Sequence, residues 1–172
     1  MLYNNKTLES INLSGNKFDS DSLTNFANAL QENKMIRFLY LNNTNLNEEN
    51  SVNLFQNFNE TTIEELSLND NNIGDTGFII FSNSIKNNWC LYKLSLVNTK
   101  ISPASMLCLT KSIEINKSLK ELDLSENMFA TDSLAKLIAA VRGKKLKVRM
   151  TKKMMLDNVS LFTGEEENFI LV

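Results

Sequence analysis

The sequence predicts an α/β solenoid: a stack of strand–helix units whose strands share one parallel sheet. Three observations carry that expectation. Leu8, Ile36, Ile63, Leu91 and Leu119 recur at intervals of 28, 27, 28 and 28 residues. Each is followed by two apolar residues at matching offsets: Ile11 and Leu13, Leu39 and Leu41, Leu66 and Leu68, Leu94 and Leu96, Leu122 and Leu124. Each unit then changes its apolar period from two to about 3.6, the change expected between a strand and a helix. Self-similarity at periods of this length marks repeat architectures.

The fifth copy is the clearest. Ser118 to Phe129 reads Ser-Leu-Lys-Glu-Leu-Asp-Leu-Ser-Glu-Asn-Met-Phe, which follows the spacing L-x-x-L-x-L-x-x-N-x-L. A polar turn position follows each strand, at Asn16, Thr44, Asn71, Thr99 and Asn127, and then an apolar one, at Phe18, Leu46, Ile73, Ile101 and Phe129. This pattern resembles the leucine-rich repeat. Units of 27–28 residues with a full helix are similar to the ribonuclease-inhibitor-like subclass, which includes the repeat regions of NOD-like receptors, Ran GTPase-activating protein and tropomodulin. The resemblance covers about residues 7–150. It implies a curved horseshoe fragment with the sheet on the concave face and helices on the convex face. It also implies that the turn Asn bonds backbone groups along the stack, so Thr44 and Thr99 are expected to give slightly looser turns. It names no partner, because fold does not set function.

Each strand is read from its alternation, with one side chain inward and the next outward. The helices follow from apolar spacing: Leu23, Phe26, Ala27 and Leu30; Val52, Phe55 and Phe58; Phe78, Phe81 and Ile85; Met106, Leu109 and Ile113; Leu134, Leu137 and Val141. Helix starts are expected at Asn47, at Asp75 and at Ser102 before Pro103, the only proline. One strand and one helix cannot bury their own apolar face, so neighbouring units must stack.

The leucine-rich repeat domain is expected over 1–150, with five repeats and a terminal strand, and a C-terminal cap or tail over 151–172. The chain opens at Asn5-Lys6-Thr7-Leu8, which matches the junctions Asn33-Lys34 and Asn116-Lys117 that follow a helix. That opening reads as a fragment of a longer repeat protein, with Met1-Leu2-Tyr3 as a minimal cap or an end face for a second copy as the alternatives. Leu146, Val148 and Met150 alternate with Lys147 and Arg149, a last strand whose charges would protect an edge or hold a small anion. Met154, Met155, Leu156, Val159, Leu161 and Phe162 are read as packing over the last unit. Glu165-Glu166-Glu167 reads as a solvated acidic stretch. Ile170-Leu171-Val172 reads as packed tail, or as a terminal peptide of the kind PDZ domains accept.

At 172 residues the chain can bury a sizeable core as one domain. A net charge of -2 and a pI near 5.3 give no global attraction to nucleic acid or to an anionic membrane. The mean hydropathy is -0.21, and no apolar run approaches the ~18 residues of a membrane span. Cys90 and Cys108 make no disulfide framework and read as reduced, which points to the cytoplasm. Asn12 and Asn42 each begin a glycosylation triplet on the expected concave face, where a glycan would block binding. Abundant Asn, with Lys and Ile, reads as an AT-rich genome with Asn in exposed turns. A protist, or a bacterium living inside one, fits; a bacterial origin would make the chain a candidate host-directed effector acting in host cytosol.

The outward strand residues form the expected binding face for a protein partner: Arg37, Phe38, Tyr40, Glu65, Tyr92, Lys93, Glu121 and Asp123, with Trp89 in the loop before the fourth strand. Large aromatics on a solvent face are typical interface anchors. Phe38, Tyr40, Tyr92 and Trp89 are expected to join in one aromatic patch rimmed by Arg37 and Lys93. Catalysis is not expected, and no cofactor or metal is implied. The chain contains no histidine, and no phosphate-loop or nucleophile-elbow motif occurs. Glu65, Glu121 and Asp123 would sit on an open surface, where carboxylates bind water or a basic partner. The expected function is a non-enzymatic, monomeric protein-interaction scaffold. The resemblance also admits a small-GTPase regulator like Ran GTPase-activating protein, although its arginine motif has no match here, an actin-binding domain like tropomodulin, or a structural piece of a larger protein.

Overall fold

The computed structural model describes residues 2–164 and 166–172; Met1 and Glu165 lie outside the described residues, as does the side chain of Glu166, and with them most of the acidic stretch. Among the described residues, seven short strands make one parallel sheet in chain order: β1 Ser10–Asn12, β2 Phe38–Tyr40, β3 Glu65–Ser67, β4 Lys93–Ser95, β5 Glu121–Asp123, β6 Lys147–Met150 and β7 Phe169–Leu171. The register aligns Ile11, Leu39, Leu66, Leu94, Leu122 and Val148. All but Ile11, at the first strand, are fully buried.

The helices are α1 Ser20–Glu32, α2 Glu48–Phe55, α3 Gly74–Lys86, α4 Pro103–Ile115, α5 Thr131–Val141 and the short α6 Lys152–Leu156. Strands in a sheet stand about 4.8 Å apart, whereas packed helices need about 8–10 Å. The stack therefore spreads on its helical side, which makes the sheet the concave face. Phe55, Phe58, Phe78 and Phe81 centre the core beneath α2 and α3, with the Phe55 and Phe81 rings 4.6 Å apart. Phe58 belongs to a single 3-10 turn (Phe58–Glu60) after α2, not to the helix itself. The close approach of α3 to α2 depends on glycine: a Cβ at Gly77 would run into the Ser51 hydroxyl, and one at Gly74 into the Glu48 side chain.

Two of the expected helix starts hold. The Asn47 side chain accepts from the amides of Glu49 (3.0 Å) and Asn50 (3.1 Å), and Asn50 reaches back to the Asn47 amide at 2.8 Å, a reciprocal cap. Ser102 Oγ accepts from the Ser105 amide at 3.1 Å, with Pro103 in the first helical position. Asp75 does not start its helix. The turn is made at Gly74, at φ +73°, and the Asp75 carboxylate instead accepts from the hydroxyls of Ser102 and Ser105 in the next unit.

At Thr44 and Thr99 the hydroxyl does part of an Asn's work, without the bond to a carbonyl of the unit before that Asn71 and Asn127 make. Each Thr hydroxyl donates to the carbonyl three residues back, to Leu41 at 2.8 Å and to Leu96 at 2.9 Å. The Asn of the following unit completes the turn. Asn71 Oδ1 accepts from the amides of Thr44 (3.0 Å) and Leu46 (3.1 Å), while its Nδ2 donates to Leu41 O at 2.7 Å and Leu68 O at 2.9 Å. Asn127 repeats this for Thr99. Nor does Asn merely fill exposed turns. Asn33, Asn88 and Asn116 are buried at the helix-to-strand junctions, where each accepts from amides of its own turn and donates to carbonyls of the unit before.

The C-terminal segment departs most from expectation. β6 is internal, because β7 adds beside it; Val172 N donates to Met150 O at 3.1 Å and Lys152 N to Val172 O at 3.0 Å. Lys147 and Arg149 therefore protect no edge, and the tail packs as expected, with Ile170 and Leu171 in β7 and Val172 bonded beside β6. Met154 and Phe162 are buried, Phe162 lying edge-to-face on Phe169 at 4.9 Å, whereas Leu156 and Val159 are exposed. At the other end, Leu2–Asn4 form a 3-10 turn, and Leu2 O accepts from Asn33 Nδ2 at 2.8 Å.

Candidate protein-binding site

Alternation places the two end side chains of each strand from β1 to β5, and Lys147 and Arg149 of β6, on the concave face. The register then orders them into two columns. The first runs Ser10, Phe38, Glu65, Lys93, Glu121, Lys147; the second runs Asn12, Tyr40, Ser67, Ser95, Asp123, Arg149. From β3 to β6 the first column alternates in sign, so each charge has an opposite neighbour across the ladder. This order was present in the sequence but needed the register to appear.

Glu65 is the hub. Lys93 Nζ lies 3.1 Å from its carboxylate, and the Tyr40 hydroxyl donates to it at 3.3 Å. The Lys93 ammonium is pushed above its usual range, first by its bond to Glu65. Tyr40 is also pushed up, mainly by burial and then by the Glu65 charge; Tyr92 acts on both Tyr40 and Lys93. Arg37 pairs with Glu64 on the rim. The structure thus brings Tyr40, Glu65, Tyr92 and Lys93 together beside Phe38, with Phe38 and Tyr40 half-buried. Glu121 and Asp123 continue the face on β5, and with Arg149 line a shallow depression.

Trp89 is not part of that group. It lines a cleft at the edge where helices run into strands, with Lys86, Ile115 and Lys117. Among the described residues no ring contact joins Phe38, Tyr40, Tyr92 or Trp89. Two outward asparagines are also engaged within the stack. Asn42 accepts from Ser67 Oγ at 2.6 Å and Asn69 from Ser95 Oγ at 2.7 Å, so Asn42 is half-buried while Asn12 stays exposed. Cys90 and Cys108 are free and half-buried. Among the described residues no cluster of three His, Cys, Asp or Glu could hold a metal ion, and no helix is long and apolar enough to cross a membrane.

A parallel sheet in chain order, one helix per unit and an Asn or Thr closing each strand define the class: the chain is a leucine-rich repeat solenoid, and its units fit the ribonuclease-inhibitor-like subclass. Residues 4–27 and 59–79 match the family model described as Leucine Rich repeat. "NACHT, LRR and PYD domains-containing protein 3" of Bos taurus is 29% identical over 167 residues, which is 95% of this chain; the chain spans 16% of that relative's length. Among solved structures, "Leiomodin-1 Actin-Binding Site 2 (ABS2)" superposes with a TM-score of 0.69 at 16% identity, covering 96% of this chain and 91% of its own. The tropomodulin C-terminal domain of Caenorhabditis elegans gives 0.69 at 15%, covering 94% and 93%. At these identities the solved structures speak for fold alone.

Proposed function

We propose that this chain is a non-enzymatic recognition module that seats a protein partner on its concave face, around Phe38, Tyr40, Tyr92 and the Glu65–Lys93 pair. The observation that carries the reading is the pair of large aromatics on β2, set outward on a sheet face that from β1 to β6 is otherwise made of small polar and charged side chains. Aromatic anchors ringed by polar groups dominate the energetics of protein interfaces. Arg37, Glu121 and Asp123 extend the contact along the curve and set its orientation more than its strength. The free cysteines and the exposed sequon residue Asn12 on the same face support a cytosolic setting. The test is affinity capture from a eukaryotic lysate beside a Phe38→Ala, Tyr40→Ala variant of unchanged far-UV circular dichroism. A partner retained by the native chain and lost by the variant supports the reading. Equal recovery by both sinks it.

A second reading is actin binding. It is favoured by the end-to-end match of this chain to two solved domains, one of them titled an actin-binding site. Co-sedimentation with filamentous actin and a filament-elongation assay test it directly; no sedimentation and unchanged elongation at saturating protein would remove it.

A further inference from the structure

We propose that the edge of the solenoid around Trp89 is a second binding site, which takes an acidic peptide segment carrying one apolar anchor residue. It is separate from the concave face and does not rest on the reading of that face. Trp89 is 86% exposed, so its ring keeps nearly all of its apolar area free for a partner. It forms one wall of a cleft of about 280 Å³, with Ile115, 48% exposed, and Lys86, Asn87, Lys117 and Ser118 completing it. The cleft is therefore apolar within and basic at the rim.

The basic rim is built by the fold. Lys86 closes the last turn of α3, where a cation complements the helix dipole. Lys117 follows the end of α4. Both are exposed, and neither takes part in an ion pair among the described residues. Two further amines lie behind them: Lys120 Nζ donates to Lys117 O at 2.9 Å, and Lys144 Nζ to Glu114 O at 2.9 Å. Burial holds the Lys144 ammonium below its usual range; Glu114 of α4 opposes that shift, and the Lys117 and Lys120 charges add to it. With Lys86 and Lys117 in its lining and no carboxylate there, the cleft carries local positive charge on a chain that is acidic overall. An acidic peptide answers that charge, and a single apolar side chain fills the space between Trp89 and Ile115. A nucleic-acid strand fits less well, because base stacking uses successive aromatic platforms and this edge offers one ring.

Trp89 is the only tryptophan in the chain, so its emission reports this site alone. The probe is the capped peptide Asp-Glu-Asp-Leu-Phe-Glu-Asp-Glu, titrated against the native chain; the controls are the same peptide with Lys at every acidic position and a single-stranded oligothymidylate. The expected result is a saturable change in Trp89 emission with the acidic peptide only, weakened by salt. A Lys86→Glu, Lys117→Glu variant should bind about tenfold or more weakly. Ile115→Asp should lose the anchor, while Phe38→Ala, Tyr40→Ala should bind as the native chain does. All substituted edge residues are exposed, and far-UV circular dichroism checks that the variants fold. No saturable change, an equal response to the basic peptide or in the charge-reversed variant, or a larger response to the oligonucleotide would overturn the proposal.

Discussion

Replacing Asn71 by Ala should be among the most damaging polar substitutions in this chain. The side chain is 2% exposed and serves two units at once. Its loss strands two amides, Thr44 N and Leu46 N, which bond to it at 3.0 and 3.1 Å. It also removes the donor to Leu41 O and Leu68 O. Leu41 O keeps the Thr44 hydroxyl, so the amides dominate the loss. A buried, unsatisfied donor costs about 1–3 kcal/mol, so two cost about 2–6 kcal/mol. Against a total stability of about 5–15 kcal/mol, that is a large fraction. Urea unfolding followed by far-UV circular dichroism measures it, and a fall in the slope m would indicate that repeats had come uncoupled. Asn16 is the internal control: it holds the same column position but is exposed, with a side-chain bond to Leu13 O at 2.8 Å. Asn16→Ala should cost under about 1 kcal/mol. Equal losses at Asn16 and Asn71, or a loss at Asn71 below about 1 kcal/mol, would refute the claim that the amide's worth comes from the unit before it.

Three further outcomes follow from the packing and the charges. Gly77→Ala should destabilise by about 1–3 kcal/mol in thermal unfolding, because the new methyl meets Ser51 across the α2–α3 contact. Phe81→Ala should cost about 3–5 kcal/mol, since its ring lies against both Phe55 and Phe58 at the centre of the core. The hydroxyls of Ser102 and Ser105 hold the Asp75 carboxylate below its ordinary value of 3.8. A depressed carboxylate contributes stability above its unfolded value, lost as pH falls through the folded one. Acid unfolding below pH 3.8 should therefore be eased in part by this group, and the pH dependence should flatten in a Ser102→Ala, Ser105→Ala variant.

The apolar columns were legible because burial imposes a fixed interval on residues that must touch the same neighbours. Leu39, Leu66 and Leu94 needed only counting. Asn47 and Ser102 were legible because a cap is local: the amides they accept from lie within three residues. Asp75 was misread for the opposite reason: its partners stand 27 and 30 residues away. The same distance hid the Asn–Thr pairing, the buried Asn33, Asn88 and Asn116, and the alternating charges of Glu65, Lys93, Glu121 and Lys147. β7 was missed because Phe169, Ile170 and Leu171 are apolar without alternation and break the repeat interval. Of the candidate site, the outward positions were legible from strand alternation. The parting of Trp89 from Tyr40 was not, because exposure alone does not say which face a loop residue occupies.

The turn column also bears on how a chain of this kind can change its length. Its residues run Asn16, Thr44, Asn71, Thr99, Asn127, so the order has a parity. Each Thr is completed by an Asn one unit downstream. Excising the single unit from Ile63 to Cys90 would set Thr44 against Thr99, a hydroxyl where a carboxamide is required. Excising two units, from Ile63 to Ser118, would bring Thr44 to Asn127 and keep the pairing. The heritable block is then a doublet of about 55 residues rather than one repeat, and duplications that respect it would lengthen the solenoid without a compensating substitution.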